Sequence, residues 1–255
     1  MRYAPTRLKP GHVPLERALS KLGLATRGVA RGWIEGGRVK VNGEIRKQPR
    51  YPVHLERARI EIDGLAAERA EIRTFLLHKP RGVVTTRVDE KGRATVFSLI
   101  TRDPGLGLHA VGRLDLATSG LLILTNDTRL SSWLTDPVNR VPRVYRVTVR
   151  GEVTAETIMR LEEGAKIDDE WLHAERVTLR KASTRESHLT VELRQGKNRE
   201  IRKLMQAVGH DVMRLKRVSF GGLELGLIDV GDYRELSSRE VASAFPGVLM
   251  CKKGD

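Results

Sequence analysis

The segment Gly112-Arg113-Leu114-Asp115-Leu116-Ala117-Thr118-Ser119-Gly120, running directly into Leu121-Leu122-Ile123-Leu124-Thr125-Asn126-Asp127, constrains the fold of this chain most tightly. A short apolar run bounded by Gly120 and by Asn126-Asp127 reads as a fully buried strand. The residues before it, small and polar, form a loop anchored to the core of a domain. Asp115 therefore sits where a rigid scaffold can hold a reactive side chain in place. An isolated Asp in such a loop is more often a turn residue or cap, so a catalytic meaning depends on the residues around it.

The chain has 255 residues, enough for two domains with a real core. Its formal net charge is +14, which predicts a polyanionic partner because each phosphate met by Lys or Arg releases counterions. Residues 1–72 hold 15 Lys and Arg against 8 Asp and Glu, so just over a quarter of the chain carries half of the excess. The single cysteine, Cys251, cannot form an internal disulfide and fits a reducing cytoplasm. The N-terminal residues lack the apolar stretch of a signal peptide, and no apolar run reaches membrane-spanning length. The seven His lie scattered, without a Cys or carboxylate cluster at metal-ligand spacing, so no metal is expected. There is no Gly-Lys-Ser/Thr phosphate loop, and Ser119 lacks the Gly-x-Ser-x-Gly setting of a hydrolase nucleophile.

Residues 1–12 read as a basic tail. Leu15, Ala18, Leu19 and Leu22 then recur at helical spacing until Gly23. Thr26 is placed to cap a second helix carrying Val29, Ala30, Trp33 and Ile34, which ends at Gly36-Gly37. Val39 and Val41 alternate with basic residues before Asn42-Gly43, a hairpin turn signal, and Ile60 and Ile62 form a last short strand before Asp63-Gly64. Two short helices with a hairpin, bearing Arg17, Lys21, Arg27 and Arg31 on their polar sides, resemble an S4 RNA-binding domain over residues 13–64. The phrase Gly36-Gly37-Arg38-Val39-Lys40-Val41-Asn42-Gly43 carries that resemblance most specifically. It implies that Arg17, Arg27 and Arg31 contact RNA. Residues 65–73, charged and rich in Ala, read as a linker or its short helix.

A second domain is expected over 74–246, with a tail at 247–255. Strands are expected near 75–77, 120–125, 143–149, 188–194 and 212–220. Helices are expected at 128–135, 154–163, 198–208 and 237–244, the last opened by a Ser237/Glu240 capping box. These elements mix without regular alternation, which predicts an α+β fold with a mixed, largely antiparallel sheet flanked by helices. In 193–205, Ile201, Leu204, Met205 and Val208 form one apolar helical stripe, leaving Arg199, Arg202 and Lys203 off it.

The Asp115 segment resembles the signature of the pseudouridine synthases, in the branch that modifies ribosomal RNA. That resemblance implies Asp115 as the catalytic carboxylate, Tyr145 as a tyrosine stacked on the target base, and Arg202 as the basic partner of Asp115. It further implies Arg113 filling the space of an extruded base, Leu215 lining the base pocket, Lys79 contacting the RNA from a cleft-shaping loop, and Arg199 beside the RNA. His78 and Thr128 depart from the family's usual residues. The reaction breaks C1′–N1 of uridine and joins C1′ to C5, with no cofactor. Asp115 can act at C1′ or C6, or stabilise a charged ribose species. The phrase Gly196-Lys197-Asn198-Arg199-Glu200-Ile201-Arg202-Lys203-Leu204 is most similar to members acting on large-subunit RNA. The implied partner is ribosomal RNA or a ribosomal assembly intermediate, in the cytoplasm, and the lack of a coiled coil or exposed apolar stripe points to a monomer. A non-catalytic S4-type assembly factor would explain the basic N-terminal part but not Asp115, Tyr145 and Arg202 together. A DNA-binding regulator would need a recognition helix and a dimerisation element, and neither is evident.

Overall fold

The computed structural model describes residues 9–100 and 107–250; Cys251 and the ends of both expected tails lie outside them. Two compact units divide between Arg73 and Thr74, with residues 107–109 and 125–128 grouping with the first.

The first unit runs β1 (His12–Pro14), α1 (Leu15–Lys21), α2 (Arg27–Glu35), β2 (Val39–Val41), β3 (Glu44–Ile45), β4 (Pro52–His54), β5 (Ile60–Ile62) and β6 (Leu65–Ala66). The apolar stripe seen in the sequence becomes its core: Leu15, Ala18, Leu19 and Ile34 are fully buried against Val39, Val53 and Ile60. Burying a large aliphatic side chain stabilises by about 1.5–3 kcal/mol, so this small core depends on each of them. Thr26 caps α2 by accepting from the Val29 amide at 3.5 Å. Asn42-Gly43 and Asp63-Gly64 both take left-handed conformations, which tight hairpins require, and they join β2 to β3 and β5 to β6. The strand order is β3-β2-β5-β6, with β1 and β4 paired separately.

Two boundaries differ from expectation. Leu65–Ala66 pairs with β5, so the small sheet reaches past Gly64, and residues 67–73 form no helix. His12, placed in the tail from sequence, pairs with His54 in β1. Short polar segments like these acquire their structure from strand pairing, which local composition does not reveal.

From Thr74 onward the chain forms β7 (Thr74–Lys79), β8 (His109–Ala110), β9 (Ser119–Thr125), α3 (Thr128–Thr135), β10 (Arg143–Arg150), α4 (Ala155–Glu163), β11 (Ala165–Ile167), β12 (Glu170–Leu172), β13 (Arg176–Lys181), β14 (Glu186–Leu193), α5 (Glu200–Ala207), β15 (Val212–Phe220), β16 (Leu223–Glu224), β17 (Tyr233–Glu235), α6 (Ser238–Ala244) and α7 (Pro246–Met250). The main sheet runs β13-β14-β10-β15-β9-β7-β17, with β16 beside β15 and β8 beside β9. The β13/β14, β14/β10, β10/β15 and β17/β7 pairs are antiparallel and β15/β9 is parallel, a mixed sheet flanked by helices. Leu121 to Leu124 have no exposed surface, as the opening motif required. The Ser237/Glu240 capping box forms at the start of α6. The expected C-terminal tail begins as α7, where Gly247 lies so close to the Trp133 indole that a Cβ would clash.

Gly120 is a position where the main sheet needs glycine. Its φ is +112°, and a Cβ there would fall 2.1 Å from the Arg217 carbonyl oxygen of β15. The parallel contact of β9 with β15 is therefore possible only because this residue has no side chain.

Candidate active site

The loop between Ala110 and Ser119 leads into β9 and presents Asp115 with 35% of its side chain exposed. Several independent bonds hold its backbone. Thr85 Oγ1 donates to the Leu114 carbonyl at 2.8 Å, Gly82 N donates to the Leu116 carbonyl at 2.8 Å, and Thr118 N closes a turn onto the Asp115 carbonyl at 3.0 Å.

Lys79, at the end of β7, completes this support. It is fully buried, and its Nζ donates to the carbonyls of Pro80 (3.0 Å), Asp115 (3.1 Å) and Thr118 (2.9 Å). Burial pulls its pKa down to about 8, with the Asp115 carboxylate opposing the shift. This corrects the expectation of an RNA-contacting lysine. With no exposed surface, Lys79 clamps the Asp115 loop from inside, because three converging carbonyls suit the three donors of an ammonium.

Opposite Asp115 lies the turn before α5. Arg199, in a left-handed conformation at the N-cap, places Nη1 3.5 Å from Asp115 Oδ2. Arg202, the partner expected from sequence, instead donates from Nη1 to the Val212 carbonyl at 3.2 Å. It lies near enough for Asp115 to favour its charge, although burial and the neighbouring Arg199 and Arg81 lower its pKa. The left-handed turn at Arg199 swings that side chain over the carboxylate, which helical spacing alone could not foretell.

One pocket brings together Arg113, Asp115, Tyr145, Arg199 and Leu215. Arg202 and Lys79 lie outside its lining. Tyr145 projects from β10 with 8% exposure, at a register irregularity between Val144 and Tyr145 in the pairing with β15. Bulges of this kind re-aim a side chain. Leu193, Ile201, Leu215 and Phe220 supply apolar lining, so the pocket offers a carboxylate, a phenol and an apolar wall suited to a planar, uncharged ring.

Four further charged residues, Arg143, Lys197, Glu200 and Arg217, line this pocket and were not picked out from sequence. Arg143 spends its guanidinium on the carbonyls of Val141, Arg194 and Leu134, and it lies 4.9 Å from the Phe220 ring centre. Arg217 donates to the Leu121 carbonyl at 2.7 Å and lies 4.8 Å from the same ring. Glu200 Oε2 accepts from the amides of Gly196 (3.1 Å) and Lys197 (3.0 Å), fastening the turn that carries Arg199. Burial raises the Glu200 carboxyl above the usual range while those amide bonds oppose it. A signal was present: Arg143 alternates in phase with inward-facing Tyr145, and Arg217 with Leu215, so both are charges at core positions.

In the first unit, Arg17, Arg27 and Arg31 are all exposed. Arg31 also pairs with Glu16 at 3.0 Å. Among the described residues no cluster of His, Cys, Asp or Glu could hold a metal, and no helix is long and apolar enough to cross a membrane.

The family described as RNA pseudouridylate synthase matches residues 73–207, and the S4 domain matches residues 13–57. The ribosomal large subunit pseudouridine synthase B of Bacillus subtilis is 35% identical over 231 residues, covering 89% of this chain and 93% of that protein. The enzyme of the same name from Pseudomonas aeruginosa is 37% identical over 246 residues, covering 90% of this chain and 62% of its own length. A solved pseudouridylate synthase structure superposes with a TM-score of 0.64 at 26% identity, over 91% of this chain and 99% of that one.

Proposed function

This chain belongs to the RNA pseudouridylate synthase family, and from that premise we propose that it isomerises a specific uridine of large-subunit ribosomal RNA to pseudouridine. The observation that carries the reading is the pocket in which Asp115, Arg199 and Tyr145 converge on a loop clamped from below by Lys79. The similarity to large-subunit enzymes over most of the chain supports the substrate class.

In this reading residues 13–64 are the RNA-docking domain, 65–73 the connection and 74–246 the catalytic domain. Arg17, Arg27 and Arg31 meet phosphates, which position an RNA without reading its sequence. A base within a helix is unreachable, so the target uridine is extruded at a cost of a few kcal/mol. Arg113 fills its place, Tyr145 stacks on the uracil and Leu215 packs its edge. Asp115 acts on the extruded nucleotide as the C1′–N1 bond breaks. The base turns, C5 bonds to C1′, the C5 proton leaves and N1 gains one. Atoms and electrons balance without an oxidant or reductant. Arg199 holds the carboxylate ready, with Arg202 supporting the positive field behind it. We place the protein in the cytoplasm as a monomer.

The test is Asp115→Asn assayed on large-subunit RNA fragments. Pseudouridine formation is expected to vanish while RNA affinity stays within about twofold, since the change is isosteric. A variant that still forms product would remove Asp115 from the chemistry. A wild-type protein that binds but never modifies would return the reading to a non-catalytic assembly factor.

A further inference from the structure

The hairpin of β11 and β12 plays no part in the site described above, yet it is fastened to the site's rim. Lys197, which lines the pocket, donates from Nζ to the Trp171 carbonyl at 2.8 Å. Lys203, on the helix that follows Arg199, pairs with Asp168 at the hairpin tip at 2.9 Å. These two links join the hairpin to the turn that carries the partner of Asp115.

The hairpin carries the most exposed of the chain's three tryptophans. Trp33 and Trp133 pack against the cores of their units, whereas Trp171 is 56% exposed although it is flanked by fully buried Leu172. Strand alternation explains this: Leu172 and Glu170 point to one face and Trp171 to the other. Lys166 is the cross-strand partner of Trp171, so an indole and an exposed ammonium share that outer face. The acidic tip is matched by lysines and is not an unpaired negative patch. Asp168 is paired with Lys203, Asp169 with Lys166, and Glu170 lies on the other face.

We infer that Trp171 is a stacking platform for an unpaired nucleotide of the substrate RNA, next to the extruded uridine, with Lys197 between the indole and the pocket and Lys166 exchanging Asp169 for a backbone phosphate. An aromatic plane beside ammonium groups is the chemistry that holds single-stranded nucleic acid. The inference rests on the RNA-modifying function proposed above, because continuity with that pocket is what selects RNA as the occupant. Extruding a uridine disturbs its neighbours' stacking, and the indole restores one stacked contact as that contact is lost.

The experiment compares full-length wild type, Trp171→Ala and Trp171→Phe, using a uridine-rich single-stranded oligonucleotide and a large-subunit RNA fragment as probes. Trp171→Ala is expected to bind both probes roughly 5- to 150-fold more weakly, the span that one base–aromatic stack supplies, with KM for the fragment rising in parallel. Trp171→Phe is expected to restore most of the affinity. Oligonucleotide binding is expected to quench the intrinsic fluorescence of wild type, and the Phe variant to lose the Trp171 part of that quench. Unchanged affinity in Trp171→Ala, or an undiminished quench in Trp171→Phe, overturns the inference; the first result would leave a protein partner as the occupant of this face. Absence of pseudouridine formation by the wild type is a separate outcome that would strike the functional reading itself.

Discussion

Replacing Lys79 with Met keeps most of the stem's length and apolar volume but removes the ammonium that joins the Pro80, Asp115 and Thr118 carbonyls. Two opposing terms set the stability effect. Holding this lysine charged in the folded state costs about 3–4 kcal/mol, from a pKa drawn from 10.5 to about 8 at about 1.4 kcal/mol per unit. Against that relief, the Thr118 carbonyl is left unsatisfied in the interior at about 1–3 kcal/mol, and the two partly buried carbonyls lose less. The balance leaves global stability within about 2 kcal/mol of wild type. Catalysis has no such compensation: the loop that aims Asp115 loses its internal clamp, and a misplacement of about 1 Å costs roughly 100-fold in rate.

The same group sets a pH signature. As pH rises through about 8, the ammonium becomes an amine with two donors for three carbonyls, and the clamp loosens. Activity of the wild type should fall about tenfold between pH 7 and pH 9 as the protonated fraction drops. Stability moves the other way. Between about pH 8 and 10.5 the unfolded lysine still holds its proton while the folded one has lost it, so this group's contribution to stability rises with pH across that window. The assay is single-turnover pseudouridine formation at saturating RNA from pH 6.5 to 9.5 for both proteins, with urea unfolding at the same pH values. RNA affinity should be equal in the two, because Lys79 has no exposed surface. An Lys79→Met protein within twofold of wild-type activity would refute the clamp, as would a wild-type profile flat from pH 7 to 9.

Two other changes probe the supports of the site. Gly120→Ala forces a Cβ to 2.1 Å from the Arg217 carbonyl at a φ of +112°, and is expected to destabilise by about 4 kcal/mol or more in denaturant unfolding; a loss under about 1 kcal/mol would contradict the close β9–β15 approach. Glu200, raised by burial, keeps its proton to higher pH when folded than when unfolded, so its contribution to stability falls as pH climbs from about 4.3 toward its elevated value. Glu200→Gln should flatten that dependence, and a slope identical to wild type in urea titrations would exclude Glu200 as its source.

Much of this protein was legible in one dimension because its signals are local. The Leu121–Leu124 run could only be a buried strand, Asn42-Gly43 could only turn tightly, and Thr26 and Ser237 announced the helices they cap. The same local phrases carried the resemblance that placed Asp115, Tyr145 and Leu215 in one site, and the fold brings all three into one pocket. What sequence could not decide were contacts between segments far apart along the chain. Lys79 looked like a cleft residue until the Asp115 loop folded over it and turned its charge inward. Arg199 meets Asp115 because of a single left-handed residue, while Arg202, three positions on, turns to the Val212 carbonyl. Arg143 and Arg217, legible only as charges in phase with core positions, found their carbonyl partners through strand pairing, and Glu200 gained its role from the turn folded back over the start of α5. A residue's local propensity travels with its neighbours in the chain, but its burial and its partners are set by segments tens of residues away, and those the tertiary structure alone supplied.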